Sequence, residues 1–282
     1  MRKPSALIKL TRPPNGVMMF VAVLVGHYVS SGMFPDASTL TLSFLTAYCL
    51  NGSSMAVNDL VDVDVDRVNA PNRPIPSGAV SPFEAKLVAT SLCAVGLSAS
   101  TLLGLAPSII AVVSYALALV YNVSLKRTGL IGNMVVSVTV AAPFLFGSAV
   151  AVGTLDVGSV TLAALAFLSS LGREIVKGIA DIEGDSIRGI KTVARVRGVR
   201  HASLLGAGAV LTAVALSPLP FLTGTLGWAY LPVVLVADTG FVYSSYSLVR
   251  SASPSTARNV KSQYLLWMFV ALVAFLVGSA TR

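Results

Sequence analysis

The sequence predicts an all-α, polytopic membrane protein, with nine transmembrane helices around a central cavity and a cap of polar loops on the cytoplasmic side. Three observations predict it. Of the 282 residues, 55% are hydrophobic and only 11% are charged, with a mean hydropathy of +0.80; a soluble domain carries about 25% charged residues. Apolar runs of about 20 residues recur, each able to cross a hydrocarbon core of roughly 30 Å as a helix. Threading nine helices from a cytoplasmic N-terminus leaves every lysine and arginine except Arg282 on the inner side, which is a strong positive-inside bias and accounts for the net charge of +8. The alternating strands of an outer-membrane barrel are absent.

The first run, 14–34, follows Arg2, Lys3, Lys9 and Arg12. A signal peptide has the same order, but this run is longer than a typical h-region and no A-x-A site follows, so it reads as a retained helix. Asn15, just after Arg12-Pro13-Pro14, is a polar residue suited to a cavity wall; His27 reads as a satisfied interior histidine. The second run, 38–60, leads into Asn58-Asp59-Leu60-Val61-Asp62-Val63-Asp64-Val65-Asp66. A continuing helix turns by about 40° every four residues, so Asn58, Asp62 and Asp66 share a stripe. Asp59 falls beside it, and Asp64 points about 200° away from Asp62. The bland alternative is a solvated, acidic helix end.

The next segment, Asn69-Ala70-Pro71-Asn72-Arg73-Pro74-Ile75-Pro76-Ser77-Gly78, is too rich in proline for a helix. It reads as a rigid loop presenting Arg73 back toward the acidic stripe, where a guanidinium binds phosphate bidentately. Alternatively it is a plain turn whose arginine only obeys topology. Runs 82–104 and 106–123 follow, the latter closing on Tyr121-Asn122-Val123-Ser124-Leu125-Lys126-Arg127. Basic residues are favoured at a helix C-terminus by the dipole alone; the functional reading gives Tyr121 and Lys126 to a phosphorylated substrate.

After run 132–153, run 158–178 carries a second polar series spaced by four: Arg173, Lys177, Asp181 and Asp185, with Glu174 beside it. These charges either neutralise one another structurally or divide the work. In the second case Asp181 and Asp185 take metal, while Arg173 and Lys177 meet a phosphate or an anionic acceptor. Arg188 and Lys191 add positive charge to the loop beyond. Runs 200–222, 227–249 and 260–280 complete the chain. Asp238 lies deep in the eighth run, either lining the cavity or simply protonated. Cys49 and Cys93 fall inside spans as small apolar residues and suggest neither a disulfide nor a metal framework.

Both D-x-x-x-D series follow helices of the same orientation, four helices apart. That suggests one domain, 1–282, built from two four-helix pseudo-repeats (14–123 and 132–249) with helix 260–280 added. Both series and the 121–127 segment fall on the cytoplasmic side, and the C-terminus falls outside. Ionised residues at a bilayer are by default a functional site. Mg²⁺ takes one or two carboxylates together with phosphate oxygens and waters. Two acidic pairs facing one cavity therefore suit two Mg²⁺ ions, on Asp62 and Asp66 with Asn58 assisting and on Asp181 and Asp185. Those ions could hold a diphosphate. The basic charge is interleaved with acids at the membrane edge, which fits anionic headgroups or a phosphorylated substrate rather than nucleic acid; no protein partner is implied.

These residues resemble the UbiA superfamily of intramembrane prenyltransferases. Its motif N-D-x-x-D-x-x-x-D is matched by Asn58, Asp59, Asp62 and Asp66, and its D-x-x-x-D by Asp181 and Asp185. The Arg73-Pro74-Ile75-Pro76-Ser77-Gly78 loop and the Tyr121–Lys126 segment also fit. The stretch from Arg173 to Asp185 resembles the branch that adds a geranylgeranyl chain to a phosphorylated glycerol lipid of archaea, although Gly178 stands where that branch often has aspartate. The resemblance implies Mg²⁺-dependent transfer from geranylgeranyl diphosphate to geranylgeranylglyceryl phosphate, forming an ether, in a cell-membrane enzyme. It implies Asp62, Asp66, Asp181, Asp185, Lys177 and Arg73 as catalytic residues. Asn15, Asn58, Arg73, Tyr121, Lys126, Arg173, Lys177 and Lys191 would then bind substrate. An aromatic acceptor such as 4-hydroxybenzoate stays open, and so does an ion or solute transporter, although a transporter normally holds its charges near the bilayer midplane. A CDP-alcohol phosphotransferase needs D-G-x-x-A-R after its first pair, which Asp66-Arg67-Val68-Asn69 does not supply.

Overall fold

The computed structural model describes residues 3–187 and 189–282, with Asn69 and Ile187 described by their backbone alone. Arg2 and Arg188, assigned above to the inner side, lie outside the described residues. Every regular element described is helical. In order these are α1 (Lys3–Leu10), α2 (Pro13–Ser31), α3 (Ala37–Val61), α4 (Val63–Asn69), α5 (Pro82–Thr101), α6 (Leu105–Val123) and α7 (Leu130–Val152). Then come α8 (Val157–Ala180), α9 (Ile182–Ile187), α10 (Val193–Arg197), α11 (Val199–Leu216), α12 (Leu219–Leu222), α13 (Tyr230–Arg250) and α14 (Pro254–Ala280). By length and hydropathy, 6 candidate spans stand out among the described residues: α6, α7, α8, α11 continued through α12, α13 and α14. The long helices α2, α3 and α5 fall below that hydropathy; α3 buries Ser43, Thr46, Ser53 and Ser54 along its length.

Local chemistry sets the ends. Asp36 caps α3 by accepting from the backbone N–H groups of Ser38 and Thr39, and Asp156 caps α8 the same way through Gly158 and Ser159. Ser81 and Glu84 close a reciprocal capping box at α5. The last helix starts earlier than the 260–280 run because Ser253 accepts from Thr256 N–H and Pro254 fills a first-turn position that needs no N–H. The 200–222 run breaks at Pro218, whose ring cannot donate to the helix, and resumes as α12.

Neighbouring helices pack α3 on α5, α2 on α7, α7 on α8, α8 on α11 and α13 on α14, and α14 also lies against α8. The α2–α7 seam depends on absent side chains. A Cβ on Gly26 would sit 2.2 Å from the carbonyl oxygen of Phe144, and one on Gly147 would sit 2.1 Å from that of Val23. Small residues at such crossings let backbones approach, which is how helices gain contact without a solvent-driven force. Leu105, Ile109, Val112 and Val113 of α6 stay exposed on its outer face. Between the helices lies a cavity of about 710 Å³. Its walls are mostly apolar and run from Arg173 and Glu174 down to Phe144, Tyr230 and Phe275. Ring contacts among the last three close its deep end.

Candidate active site

The first acidic series does not run along one continuous helix. α3 stops at Val61, and Asp62 (φ −90°, ψ 6°) is a hinge from which α4 restarts. The helix is interrupted there, and Asn58 still meets Asp62, its amide donating to Asp62 Oδ2 at 2.9 Å. α4 turns Asp66 inward, where it is buried, and leaves Asp64 exposed against Arg67 at 2.9 Å. The loop after α4 folds back through the Ser77 N–H to Arg73 C=O bond and the left-handed turn at Gly78 (φ 74°). Arg73 thereby pairs with Asp66 and reaches Asp59 at 3.5 Å.

Asp59, set aside by the wheel, is 2% exposed and is the hub of this end of the molecule. It takes a second arginine, Arg12, at 2.7 Å. Arg12 links α1 to α2 and has φ 48°, the only positive φ outside glycine among the described residues. Such a left-handed residue costs roughly 1–2 kcal/mol. Its position before Pro13-Pro14 was the available signal, because a proline disfavours the right-handed helical region for the residue before it.

The second series repeats the break. α8 stops at Ala180, Asp181 (φ −105°, ψ 15°) is its cap, and α9 carries Asp185. Buried Glu174 accepts from Arg173 at 2.7 Å and Lys177 at 3.0 Å, so the two cations share one internal counter-ion. Asp181 pairs with Lys261 of α14 at 3.1 Å, a partner too distant in sequence for spacing to suggest. The loop beyond α9 is tied down at Asp185, whose backbone carbonyl accepts from the Ile190 N–H and the Arg195 guanidinium. Gly178 has a local reason: a Cβ there would lie 3.2 Å from Cβ of Thr192, leaving little room for aspartate.

The third segment joins the other two. Lys126, in a 3₁₀ turn at Leu125–Arg127, pairs with Asp62. The N–H of Lys191 donates to the Arg127 carbonyl at 3.3 Å, while the Lys191 side chain is exposed. Gly129 (φ 67°) lets that contact form, since a Cβ would fall 1.9 Å from the Lys191 carbonyl oxygen. Half-buried Tyr121 stands within electrostatic reach of Lys177, Glu174, Asp62 and Asp185. Asn15 lines the cavity together with Arg173 and Glu174.

Among the described residues, no group of three or more His, Cys, Asp or Glu side chains forms a ready metal cage. The acids come instead as ion-paired side chains at the helix ends, of which Glu174 lines the apolar cavity. That donor set fits a hard cation such as Mg²⁺, which needs only one or two carboxylates when phosphate oxygens and waters complete its shell.

A helical bundle that joins ion-paired acids and bases at its helix ends to an apolar chamber walled in part by Arg173 and Glu174 defines a class of membrane enzyme acting on a charged head and a long apolar tail. The chain belongs to the UbiA prenyltransferase family, which matches residues 19–277, and is a multi-pass membrane protein. It is 36% identical over 280 residues to the digeranylgeranylglyceryl phosphate synthase of Thermococcus kodakarensis, covering 98% of this chain and 99% of that one. A solved structure of a digeranylgeranylglyceryl phosphate synthase superposes with a TM-score of 0.84 at 29% identity, covering 100% of both chains. The structure of a UbiA homologue from Archaeoglobus fulgidus bound to DMAPP and Mg²⁺ matches with a TM-score of 0.69 at 17% identity, covering 96% of this chain and 99% of that one.

Proposed function

We propose that the protein transfers a geranylgeranyl group from geranylgeranyl diphosphate to geranylgeranylglyceryl phosphate, forming an ether bond in archaeal membrane-lipid synthesis. The observation that carries the reading is the group of ion pairs Asp62–Lys126, Asp66–Arg73 and Glu174–Lys177, with Asp62, Glu174 and Lys177 within electrostatic reach of Tyr121 and Glu174 on the cavity wall. Full-length similarity to the Thermococcus kodakarensis enzyme supports the choice of acceptor.

Asp62 and Asp66, with Asn58 assisting, would hold one Mg²⁺, and Asp181 and Asp185 would hold a second; bound there, the ions would supply charge neutralisation to a leaving diphosphate. The Archaeoglobus homologue seen with DMAPP and Mg²⁺ supports that dependence. Arg73, Lys126 and Lys177 are paired with carboxylates, positioned to turn toward phosphate oxygens as charge develops. The allylic C1–O bond breaks, the glycerol hydroxyl oxygen bonds to C1, and its proton passes to the diphosphate. Asn15, Tyr121, Arg173 and Lys191 bind the phosphorylated head groups, while the cavity holds the prenyl chain and excludes bulk water.

In this reading nine helices cross the membrane, the N-terminus and the acidic loops are cytoplasmic, and the C-terminus is outside. Two four-helix repeats, 14–123 and 132–249, fit the matched caps: Asp36 and Asp62 bound α3 as Asp156 and Asp181 bound α8. The deciding experiment is an assay of the purified protein with geranylgeranyl diphosphate, Mg²⁺ and each acceptor in turn. Turnover with the glyceryl phosphate, abolished by EDTA, is expected. Faster turnover with 4-hydroxybenzoate would overturn the acceptor.

A further inference from the structure

Among the described residues, the buried side-chain polar atoms without a hydrogen-bond partner are Ser30 Oγ, Asn51 Nδ2 and Arg173 Nε. Asn51 and Arg173 both line the large cavity. Both atoms are N–H donors, and a donor buried without an acceptor is destabilising unless a ligand completes it. Arg173 stands beside Glu174 at the rim. Asn51 does not: it lies on the same face of α3 as Asn58 but two turns, about 10 Å, further along the helix.

Asn51 also lines a second cavity, of about 150 Å³, between α2, α3, α6 and α7. Met19, Met55 and Thr139 border both spaces, so the two meet at one wall with the Asn51 amide in it. Beyond that wall the smaller space is lined by Leu50, Ile110, Ala111 and Phe146. One prenyl substrate requires one apolar chamber. The reaction proposed above brings two geranylgeranyl chains to a common glycerol, and these must part from a shared polar centre.

The acceptor's existing ether oxygen is the atom from which its own chain departs. It has lone pairs and no proton, so it can only accept a hydrogen bond. Asn51 Nδ2 can donate and has nothing to donate to. We propose that Asn51 binds this ether oxygen at the junction of the two cavities, directing the start of the acceptor chain into the smaller one and leaving the larger for the donor chain. The inference rests on the glyceryl phosphate being the acceptor. It assigns Asn51 a role in acceptor selection, since 4-hydroxybenzoate offers no ether oxygen.

The test compares geranylgeranylglyceryl phosphate with its analogue in which a methylene replaces the ether oxygen, both under saturating geranylgeranyl diphosphate. The unaltered protein should favour the ether by roughly five- to tenfold in kcat/KM, the size of one lost hydrogen bond. Asn51→Leu and Asn51→Ala, which remove the donor, should bring that ratio close to one, with the KM for geranylgeranyl diphosphate little changed. Equal use of the two acceptors by the unaltered protein would overturn the proposal without any variant, and so would a ratio that survives both substitutions. Failure of the unaltered protein to use either acceptor, with turnover of 4-hydroxybenzoate, would remove the proposed function and this inference with it.

Discussion

Asp59 is the most deeply buried carboxylate of the polar rim, and it holds two arginines at once. Asp59→Ala would leave Arg12 and Arg73 without their shared counter-charge. Both arginines are about a third exposed, so water recovers part of the loss, and a destabilisation of about 1–3 kcal/mol is expected in a thermal or denaturant melt. An unchanged melt would show that the pairs are ornamental. The four acids proposed as metal ligands should behave differently. Alanine at Asp62, Asp66, Asp181 or Asp185 should each lower turnover by at least ~10²-fold, as for a lost transition-state stabiliser. Asp64→Ala, exposed and paired with Arg67, should lose far less; equal losses at Asp64 and Asp62 would remove the distinction between inward and outward acids.

At the scale of elements, charge and hydropathy made most of the fold legible, and side-chain contacts set what was not. Runs such as 106–123 and 132–153 differ from α6 and α7 by a residue or two, because a long apolar segment in lipid must satisfy its own backbone as a helix. The breaks at Asp62 and Asp181 were invisible, since neither contains proline or glycine. They coincide with ion pairs to Lys126 and Lys261, residues far away in sequence. Arg73 folding back was readable from its prolines; Asn51 gave no signal, because it stands among the small uncharged residues Gly52, Ser53 and Ser54 with no charge or spacing to mark it. Two tests belong here. Gly147→Ala should cost about 1–3 kcal/mol as overpacking, because the Val23 carbonyl occupies the space at 2.1 Å; no effect would mean that α2 and α7 separate easily. Cysteines placed at Ser77, Thr128 and Ser186 in a Cys49- and Cys93-free background should all be labelled from the cytoplasm, and those at Ala37 and Val157 only from outside. If the Ser77 and Ser186 sites label from opposite faces, the two acidic junctions cannot share a substrate.

For the molecule as a whole, the charge balance of the rim bears on the acceptor. A phosphorylated acceptor brings negative charge beyond that of the diphosphate, and this needs partners of its own. Around α8 and the loop after it the chain supplies Arg173, Lys177, Lys191 and Arg195, more positive charge than a metal-bridged diphosphate requires. They are not equivalent. Arg195 is engaged with the backbone carbonyls of Asp185 and Ile190, and Lys177 shares Glu174 with Arg173. Arg173 lines the cavity with its Nε unpartnered, and the Lys191 side chain is exposed on the loop after α9. Arg173→Ala and Lys191→Ala should therefore raise the KM for geranylgeranylglyceryl phosphate more than that for geranylgeranyl diphosphate. Loss of one charge-assisted hydrogen bond corresponds to roughly 1.5–3 kcal/mol, or about ten- to a hundredfold in affinity. Arg173→Ala also strips a partner from buried Glu174, so its melt must be measured beside its kinetics. A fall in stability with both KM values unmoved would make Arg173 a structural counter-ion, and a null result at both positions would leave the basic charge to anionic lipid at the membrane edge.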